Sequence, residues 1–210
     1  MAEIYTYAFV EDAPSQAVLD KIVDYVNSGR ENHFHLNTPP VITNGAGNLK
    51  KTATRFLGAG NRVCSIFVTD LDKANSPTSL CNDWFNLPCL RQLPDAMIFR
   101  VACHEIESWI IADKIGIANF LEVSDANFSD TPDQLDDPKQ YLYDVINSKC
   151  RKKKYLDMLP RRGQAVGIEY NPMLTDFVKK AWDVEQAMSR SPSLMRAINS
   201  MILRLENYGQ

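Results

Sequence analysis

The sequence predicts an α/β protein with a mainly parallel central sheet, flanking helices and a C-terminal helical extension. Short runs rich in β-branched and aromatic residues are followed by amphipathic segments over residues 1–118, as in strands joined by helices. Apolar residues make up 45% of the 210 residues, which is enough for a substantial core. After residue 118 the character changes to helices and charged loops, so we predict a core over 1–118 and a helical extension over 119–210 packed on it.

The first strand is predicted over residues 4–10, where aromatic side chains alternate with aliphatic ones. It ends at Glu11 and Asp12, so a pair of carboxylates follows the strand directly. An amphipathic helix comes next, with Ser15 as its expected N-cap and Gly29 as its expected end.

The second strand is predicted over residues 34–42 and is weak, because Pro39 and Pro40 interrupt it. Proline is tolerated at sheet edges, so we expect an edge strand or a loop here. The glycine-containing segment 44–52 resembles a phosphate-binding loop only superficially. Leu49 stands where the P-loop pattern needs a glycine, which favours an ordinary loop leading into a helix.

The run 63–72 predicts a buried strand that ends in Asp70 and Asp72. Residues i and i+2 of an extended segment point the same way, and neighbouring carboxylates repel each other unless a cation lies between them. Oxygen ligands of this kind suit Mg²⁺. The alternative is a solvated loop in which the two aspartates cap a helix.

A further buried strand is predicted over residues 96–103, and it leads into His104, Glu105 and Glu107 at the start of a helix. The glutamates are candidate metal ligands, or they favour the positive end of the helix dipole. His104 is more simply explained as a partly buried imidazole than as a ligand.

Carboxylates therefore follow three of the predicted strands. Ligands of open α/β sheets bind beyond the carboxyl ends of the strands. Several acids converging there would be hard to hold together without cations. The candidate set is Glu11 and Asp12, Asp70 and Asp72, and Glu105 and Glu107.

A dense basic run lies in the extension, although the chain as a whole has a net charge of −3. The overall charge argues against a protein that wraps nucleic acid, so any such contact must come from a local patch. We expect this run to bind the phosphate backbone. Its basic residues, opposed only by Asp157, are Lys149, Arg151, Lys152, Lys153, Lys154, Arg161 and Arg162.

The tail is predicted to be helical. Apolar residues between 177 and 184 form one stripe, and Ser191 with Pro192 forms an N-cap and first-turn pair. Residues 194–205 then follow the i, i+3, i+4 pattern. Packing against the sheet is the expected role of these helices, and a partner or homodimer interface is the alternative.

Five cysteines without a CxxC pair favour a reducing compartment, and Cys64 and Cys103 are expected to be buried thiols. No secretory leader is evident, and no apolar run reaches the roughly 18 residues that a membrane span requires. We therefore expect a cytoplasmic protein without a membrane partner.

The order of these motifs resembles the Toprim domain, the catalytic fold of topoisomerases, bacterial primases and overcoming-lysogenization-defect nucleases. Glu11 matches the glutamate that follows the first strand of that domain, although Asp12 stands where a glycine usually follows. Asp70 and Asp72 match its DxD pair. More closely, the chain resembles a Toprim-related family of small uncharacterised bacterial proteins often associated with phage defence. The matching segments are 69–72, 100–109 with 112–113, 137–139, and 191–194.

The resemblance implies a Toprim-like fold and metal-dependent cleavage of phosphodiesters in nucleic acid. Asp70 and Asp72 would hold Mg²⁺ or Mn²⁺, and Glu11 would be a catalytic acid, base or ligand. Glu105 and Glu107 would hold a second metal or orient the first ligands. The chain has no tyrosine-bearing strand-passage domain and no zinc module, so a topoisomerase or primase is not expected.

Other functions remain open from the sequence. The first is a non-catalytic Toprim-like module whose C-terminal helices bind a partner such as an ATPase. The second is a receiver-type phosphoacceptor domain, which lacks a clear lysine at a later strand end here. A haloacid-dehalogenase-type phosphatase would need its DxD on the first strand, which makes it the least favoured reading.

Overall fold

The computed structural model describes residues 2–88 and 90–208 of the chain. Strands and helices alternate through the first half of it. In chain order they are β1 (Glu3–Val10), α1 (Ala13–Asn27), β2 (His33–Leu36), β3 (Val41–Ile42), α2 (Ala46–Leu57), β4 (Cys64–Asp70), α3 (Pro77–Phe85) and β5 (Met97–Ala102).

After β5, the long regular elements of the described chain are helices. They are α4 (Glu107–Ala112), α5 (Lys114–Leu121), α6 (Pro138–Lys149), α7 (Lys153–Leu156), α8 (Tyr170–Lys180), α9 (Val184–Arg190) and α10 (Pro192–Glu206). Short 3-10 turns lie between several of these elements.

The sheet has the strand order β2-β1-β4-β5, and all of its pairings are parallel. β3 also pairs with β1, beyond the end of β2, so the two short strands share one edge of β1. Pro39 and Pro40 separate them, which confirms the predicted interrupted edge strand. The predicted fold class, a parallel sheet flanked by helices with helices at the C-terminal end, is confirmed.

The start of α1 differs from the prediction. Asp12 is its N-cap, and the Oδ1 atom of Asp12 accepts hydrogen bonds from the backbone N of Ser15 at 3.0 Å and from its Oγ at 2.6 Å. Ser15 lies inside the first turn, because Pro14 is compatible with a helical first turn and does not interrupt it. One of the predicted strand-end carboxylates therefore caps a helix.

The sheet has a different hydrophobic cluster on each face. On one face, Phe9, Phe67 and Phe99 pack with side chains of α2 and α3, and the rings of Phe9 and Phe67 stack at 5.0 Å. On the other face, the alternate residues of β1, β4 and β5 pack in one cluster with α1 and helices of the extension. Residues after 118 thus share a core with the sheet.

Buried polar contacts join α4 to the C-terminal helices. The Nε1 atom of Trp109 donates to Ser193 Oγ at 2.7 Å, and the Nε1 atom of Trp182 donates to the carbonyl of Trp109 at 3.3 Å. Asp113 accepts from the backbone N of Asp183 at 2.9 Å. Because these groups are buried, each bond is costly to lose.

In the described part of the chain, no helix is long and apolar enough to cross a membrane. Cys64, Cys103 and Cys150 are free thiols. Cys64 and Cys103 are only partly buried, so the prediction that both are buried is wrong. Cys89 lies outside the described residues.

Replacement of Ser193 by alanine is expected to destabilise the protein by roughly 1–3 kcal/mol, because Trp109 Nε1 would remain buried without its acceptor. Urea unfolding followed by tryptophan fluorescence measures the difference. Ser189→Ala is the matched control, since the Ser189 hydroxyl bonds only an exposed carbonyl of its own helix. Equal stability of the two variants would contradict the assigned role of Ser193.

Candidate functional site

The carboxyl ends of β1, β4 and β5 lie together at one edge of the sheet, which we call the carboxyl rim. It comprises the predicted acids Glu11, Asp70, Asp72, Glu105 and Glu107. Each follows or ends one of these three strands, which lie side by side in register. The structure therefore brings the predicted strand-end carboxylates to one side of the sheet.

Glu11 is fixed by the neighbouring strand. Its Oε1 atom accepts a hydrogen bond from Thr69 Oγ1 at 2.6 Å and another from the backbone N of Asp70 at 3.0 Å. Both donors belong to β4, so the end of β4 orients the residue that follows β1. Its second oxygen, Oε2, accepts no hydrogen bond from the described residues.

Asp70 and Asp72 differ in their surroundings. Asp70 is the last residue of β4 and is mostly buried, whereas Asp72 is exposed. Asp72 has a positive φ of 48°, and its backbone N donates to the carbonyl of His104 at 2.8 Å. The backbone pairing thus extends past the strands and holds the DxD segment against the segment after β5.

Glu107 is the most buried acid of the rim, with 2% of its surface exposed. Its Oε1 atom accepts a hydrogen bond from the Tyr170 hydroxyl at 2.9 Å. Its Oε2 atom is buried and has no hydrogen-bond partner among the described residues. A buried carboxylate oxygen without a donor is unfavourable, so this atom is a candidate ligand for a cation.

Lys139 places a positive charge between two of these acids. Its Nζ lies 3.3 Å from Glu107 Oε1 and 3.5 Å from Glu105 Oε1. Asp137 caps α6, which puts Lys139 in the first turn of the helix, where the dipole disfavours a cation. Its backbone N also donates to Glu105 Oε2 at 3.0 Å, so both its backbone and its side chain are bound by rim carboxylates.

The electrostatics of the rim follow from burial and crowding. Burial, then Glu107 and Glu11, raise the pKa of Asp70 well above its ordinary range. Burial also raises the pKa of Glu11, against the hydrogen bonds from Thr69 and Asp70 that lower it. Burial raises the pKa of Glu107, although Lys139 opposes the shift. For Lys139, burial is outweighed by Glu107 and Glu105, which raise its pKa. Burial and mutual repulsion therefore disfavour the ionised forms of these carboxyl groups, and Lys139 offsets only part of this effect.

A cleft of about 420 Å³ opens beside the rim, lined by Asp72, His104 and Glu105 together with neighbouring residues. His104 is partly exposed and has a positive φ of 58°, so it turns the chain between β5 and α4. The cleft gives solvent and ligands access to the exposed side of the rim.

The predicted basic run is exposed on and after the far end of α6, and the structure does not place it in the rim cleft. Lys149 lies ten residues along α6 from Lys139, which corresponds to about 15 Å.

Some charges of the basic run are already paired. Glu122 binds Lys152 and Lys154, and Asp157 binds Arg161. Arg151 donates to backbone carbonyls. The remaining members, Lys149, Lys153 and Arg162, are exposed.

The donors available for a metal are carboxylate oxygens, which match Mg²⁺ and Mn²⁺ in chemistry. Within residues 2–88 and 90–208, no three His, Cys, Asp or Glu side chains are grouped so that they could hold one ion. An ion held by three of these side chains would therefore require them to move closer together than they lie here.

Sequence reasoning missed two residues of the site. Lys139 is the first basic residue after the acidic stretch 122–137. This position is the signal that could have indicated it as an ion-pair partner for the glutamates. Tyr170 comes from a helix start more than sixty residues after Glu107, and no local pattern marks it.

Comparisons with known proteins return no match: no family model, no curated protein and no solved structure is similar to this chain.

Replacement of Lys139 by methionine is expected to destabilise the protein by roughly 3 kcal/mol, because Glu107 would remain buried without its counter-charge. The double variant Lys139→Met/Glu107→Gln should recover at least about 1 kcal/mol relative to the sum of the two single variants. Chemical denaturation of all four proteins gives this coupling energy.

Lys149→Met is the matched control for this cycle, since it removes the same charge from the exposed opposite end of α6. It should change stability by no more than about 0.5 kcal/mol. A coupling energy near zero would show that Lys139 and Glu107 do not stabilise one another.

Asp70→Asn is expected to stabilise the metal-free protein at neutral pH by roughly 1 kcal/mol, or about 2–4 °C in Tm. Since the folded-state pKa of Asp70 is raised, the penalty of its ionised form is absent near the ordinary value of 3.8 and grows as the pH rises through the raised value. Thermal unfolding in EDTA from about pH 4 to about pH 8 tests this.

Asp144→Asn removes the same charge from an exposed position on α6 and should show no such pH-dependent gain. If Asp70→Asn were destabilising at neutral pH, or its effect independent of pH, the assigned repulsion at the rim would be wrong.

Proposed function

We propose that this protein is a Mg²⁺-dependent phosphodiester hydrolase, a nuclease of the Toprim type. The observation that supports this best is the convergence of Glu11, Asp70 and Glu107 at the carboxyl rim, where burial raises the pKa of each. Such a cluster is stabilised by a divalent cation, and functional sites are where strongly perturbed carboxylates collect.

The proposal gives each acid a distinct role. Asp70 and Asp72 hold the cation, and the partnerless Oε2 of Glu107 completes the set from the buried side. Mg²⁺, when bound there, supplies neutralisation of the phosphate and acidification of water. Both oxygens of Glu105 contact Lys139, so Glu105 orients Lys139 and does not bind the cation.

Glu11 is the proposed general acid or base. Thr69 and Asp70 hold one of its oxygens, and the other is left for a water or a leaving group. Its raised pKa brings it closer to neutral pH, where a group can both accept and release a proton efficiently.

The nucleic acid would contact the exposed basic run that begins at the end of α6. Its members Lys149, Lys153 and Arg162 form no ion pair with the described residues, which favours phosphate binding. The free thiols Cys64, Cys103 and Cys150 favour a reducing, cytoplasmic setting. A role in phage defence rests on the family resemblance alone.

A non-catalytic module is the second candidate, and one observation favours it. Lys139 already neutralises part of the rim, as an internal cation would in a site that has lost its metal. In this case the protein would bind a partner such as an ATPase, or a second copy of itself. Much of the apolar stripe of α10 is used in the core, and Met195 and Leu203 remain exposed on it.

The nuclease proposal predicts cleavage of DNA or RNA substrates with Mg²⁺ or Mn²⁺ and none in EDTA. Glu11→Gln should lower the rate by about 10²- to 10⁴-fold if Glu11 transfers a proton. Asp70→Asn should abolish metal-dependent cleavage while the protein stays folded. The assay is gel analysis of end-labelled single- and double-stranded substrates.

Asp144→Asn serves as the control, because it removes a carboxylate from α6 without touching the rim, and it should cleave as the wild type does. Undiminished cleavage by Asp70→Asn would refute the assignment. Absence of cleavage by every protein, together with a metal-independent complex in sedimentation with a partner, would favour the interaction module.

A further inference from the structure

A second cleft, of about 610 Å³, lies between the outer edge of β5 and the C-terminal half of α10. β5 ends the sheet and pairs only with β4 among the described strands, so its other edge is open. The residues that line this cleft are distinct from those of the carboxyl rim. We call it the β5 cleft; its polar lining includes Arg91, Asp95, Arg100, Ser200 and Arg204.

Arg100 lies on the face of β5 that packs towards α10, since Ile98 and Ala102 on the same face belong to the core shared with that helix. Its Nε atom is buried and has no hydrogen-bond partner in the described part of the chain. Burial lowers the pKa of Arg100, because the ionised guanidinium loses water without gaining a counter-charge.

Arg204 meets the same cleft from the last turn of α10. Its Nε atom is also buried without a partner among the described residues. Its guanidinium carbon lies 5.8 Å from the centre of the Tyr208 ring, a contact that holds the side chain but accepts none of its N–H groups.

The charge of the β5 cleft is unbalanced. Three arginines line it, Arg91, Arg100 and Arg204, and Asp95 is the acid that lines it, so the lining has a net charge of +2. No ion pair joins Asp95 to any of the three arginines within residues 2–88 and 90–208. Arg100 and Arg204 thus both line this cleft, and no described residue accepts a hydrogen bond from the Nε atom of either.

Buried donors are normally satisfied, and each one left unpaired is unfavourable. Guanidinium groups match phosphate in shape and charge, since their planar N–H pairs bind two oxygens at once. The rest of the wall includes Leu93, Met97 and Leu203, which suit an organic group. The volume falls within the range of about 300–1,000 Å³ that is usual for small-molecule sites.

We propose that the β5 cleft binds a phosphate monoester of nucleotide size. The phosphate lies against Arg100 and Arg204, and the organic part lies on Leu93, Met97 and Leu203. A phosphate monoester is close to doubly charged at neutral pH, which matches the net charge of the lining. The site does not depend on the activity of the carboxyl rim.

Isothermal titration calorimetry at constant ionic strength tests this with AMP, inorganic phosphate and adenosine as probes. The wild type should bind AMP more tightly than inorganic phosphate, and adenosine should not bind measurably. Arg204→Gln should weaken AMP binding by roughly ten- to a hundredfold, because it removes charge-assisted hydrogen bonds to the phosphate.

Ser200→Glu is a second variant that retains both arginines, so the test does not depend on the folding of Arg204→Gln. Ser200 lines the cleft one turn before Arg204, and a glutamate at that spacing pairs with the arginine. This variant should raise the Tm of the ligand-free protein and weaken AMP binding at least tenfold. Asn199→Glu adds the same charge to α10 outside the cleft lining and should leave binding within twofold of wild type.

Four results would overturn the proposal. In the first, the wild type does not bind AMP at millimolar concentration. In the second, adenosine or inorganic phosphate binds as tightly as AMP. In the third, the affinity for AMP is unchanged in both Arg204→Gln and Ser200→Glu. The fourth is Arg204-dependent binding of a 5′-phosphorylated oligonucleotide without binding of AMP, which would make the cleft a contact for a strand.

Discussion

The rest of this structure depends on how negative charge is tolerated at the carboxyl rim. Parallel pairing of β1, β4 and β5 brings Glu11, Asp70 and Glu107 to one edge, and burial leaves each with less water than an ionised carboxylate requires. Lys139 forms ion pairs with Glu107 and Glu105, but no described basic side chain forms an ion pair with Asp70. This remaining imbalance is the reason why we propose a divalent cation for the site.

The helical extension completes this rim as well as covering the sheet. α6 brings Lys139 to the glutamates, and the first residue of α8, Tyr170, donates to Glu107 from the other side. Ser193 at the start of α10 accepts from Trp109, which lies two residues after Glu107. Residues of α6, α8 and α10 therefore help to position the acids of the rim.

The sequence predicted the features that depend on local pattern and on the rule that ligands bind beyond parallel strand ends. The local pattern and this rule together are enough to predict that Glu11 and Asp70 lie close together. The sequence could not indicate Lys139 or Tyr170 as partners of Glu107, because these contacts depend on how helices distant along the chain pack against α4. The sequence prediction of Ser15 as the cap of α1 was wrong, since Asp12 can cap a helix equally well and only the backbone settles the choice.

The most direct test of the central claim is the anomalous scattering of Mn²⁺ soaked into crystals of the wild type and of Asp70→Asn. The account predicts a manganese peak at the carboxyl rim, within coordination distance of the Asp70 carboxylate and at least one other rim acid, and its loss in the variant. A rim without manganese in wild-type crystals that bind the ion elsewhere, with Lys139 still between Glu105 and Glu107, would contradict it.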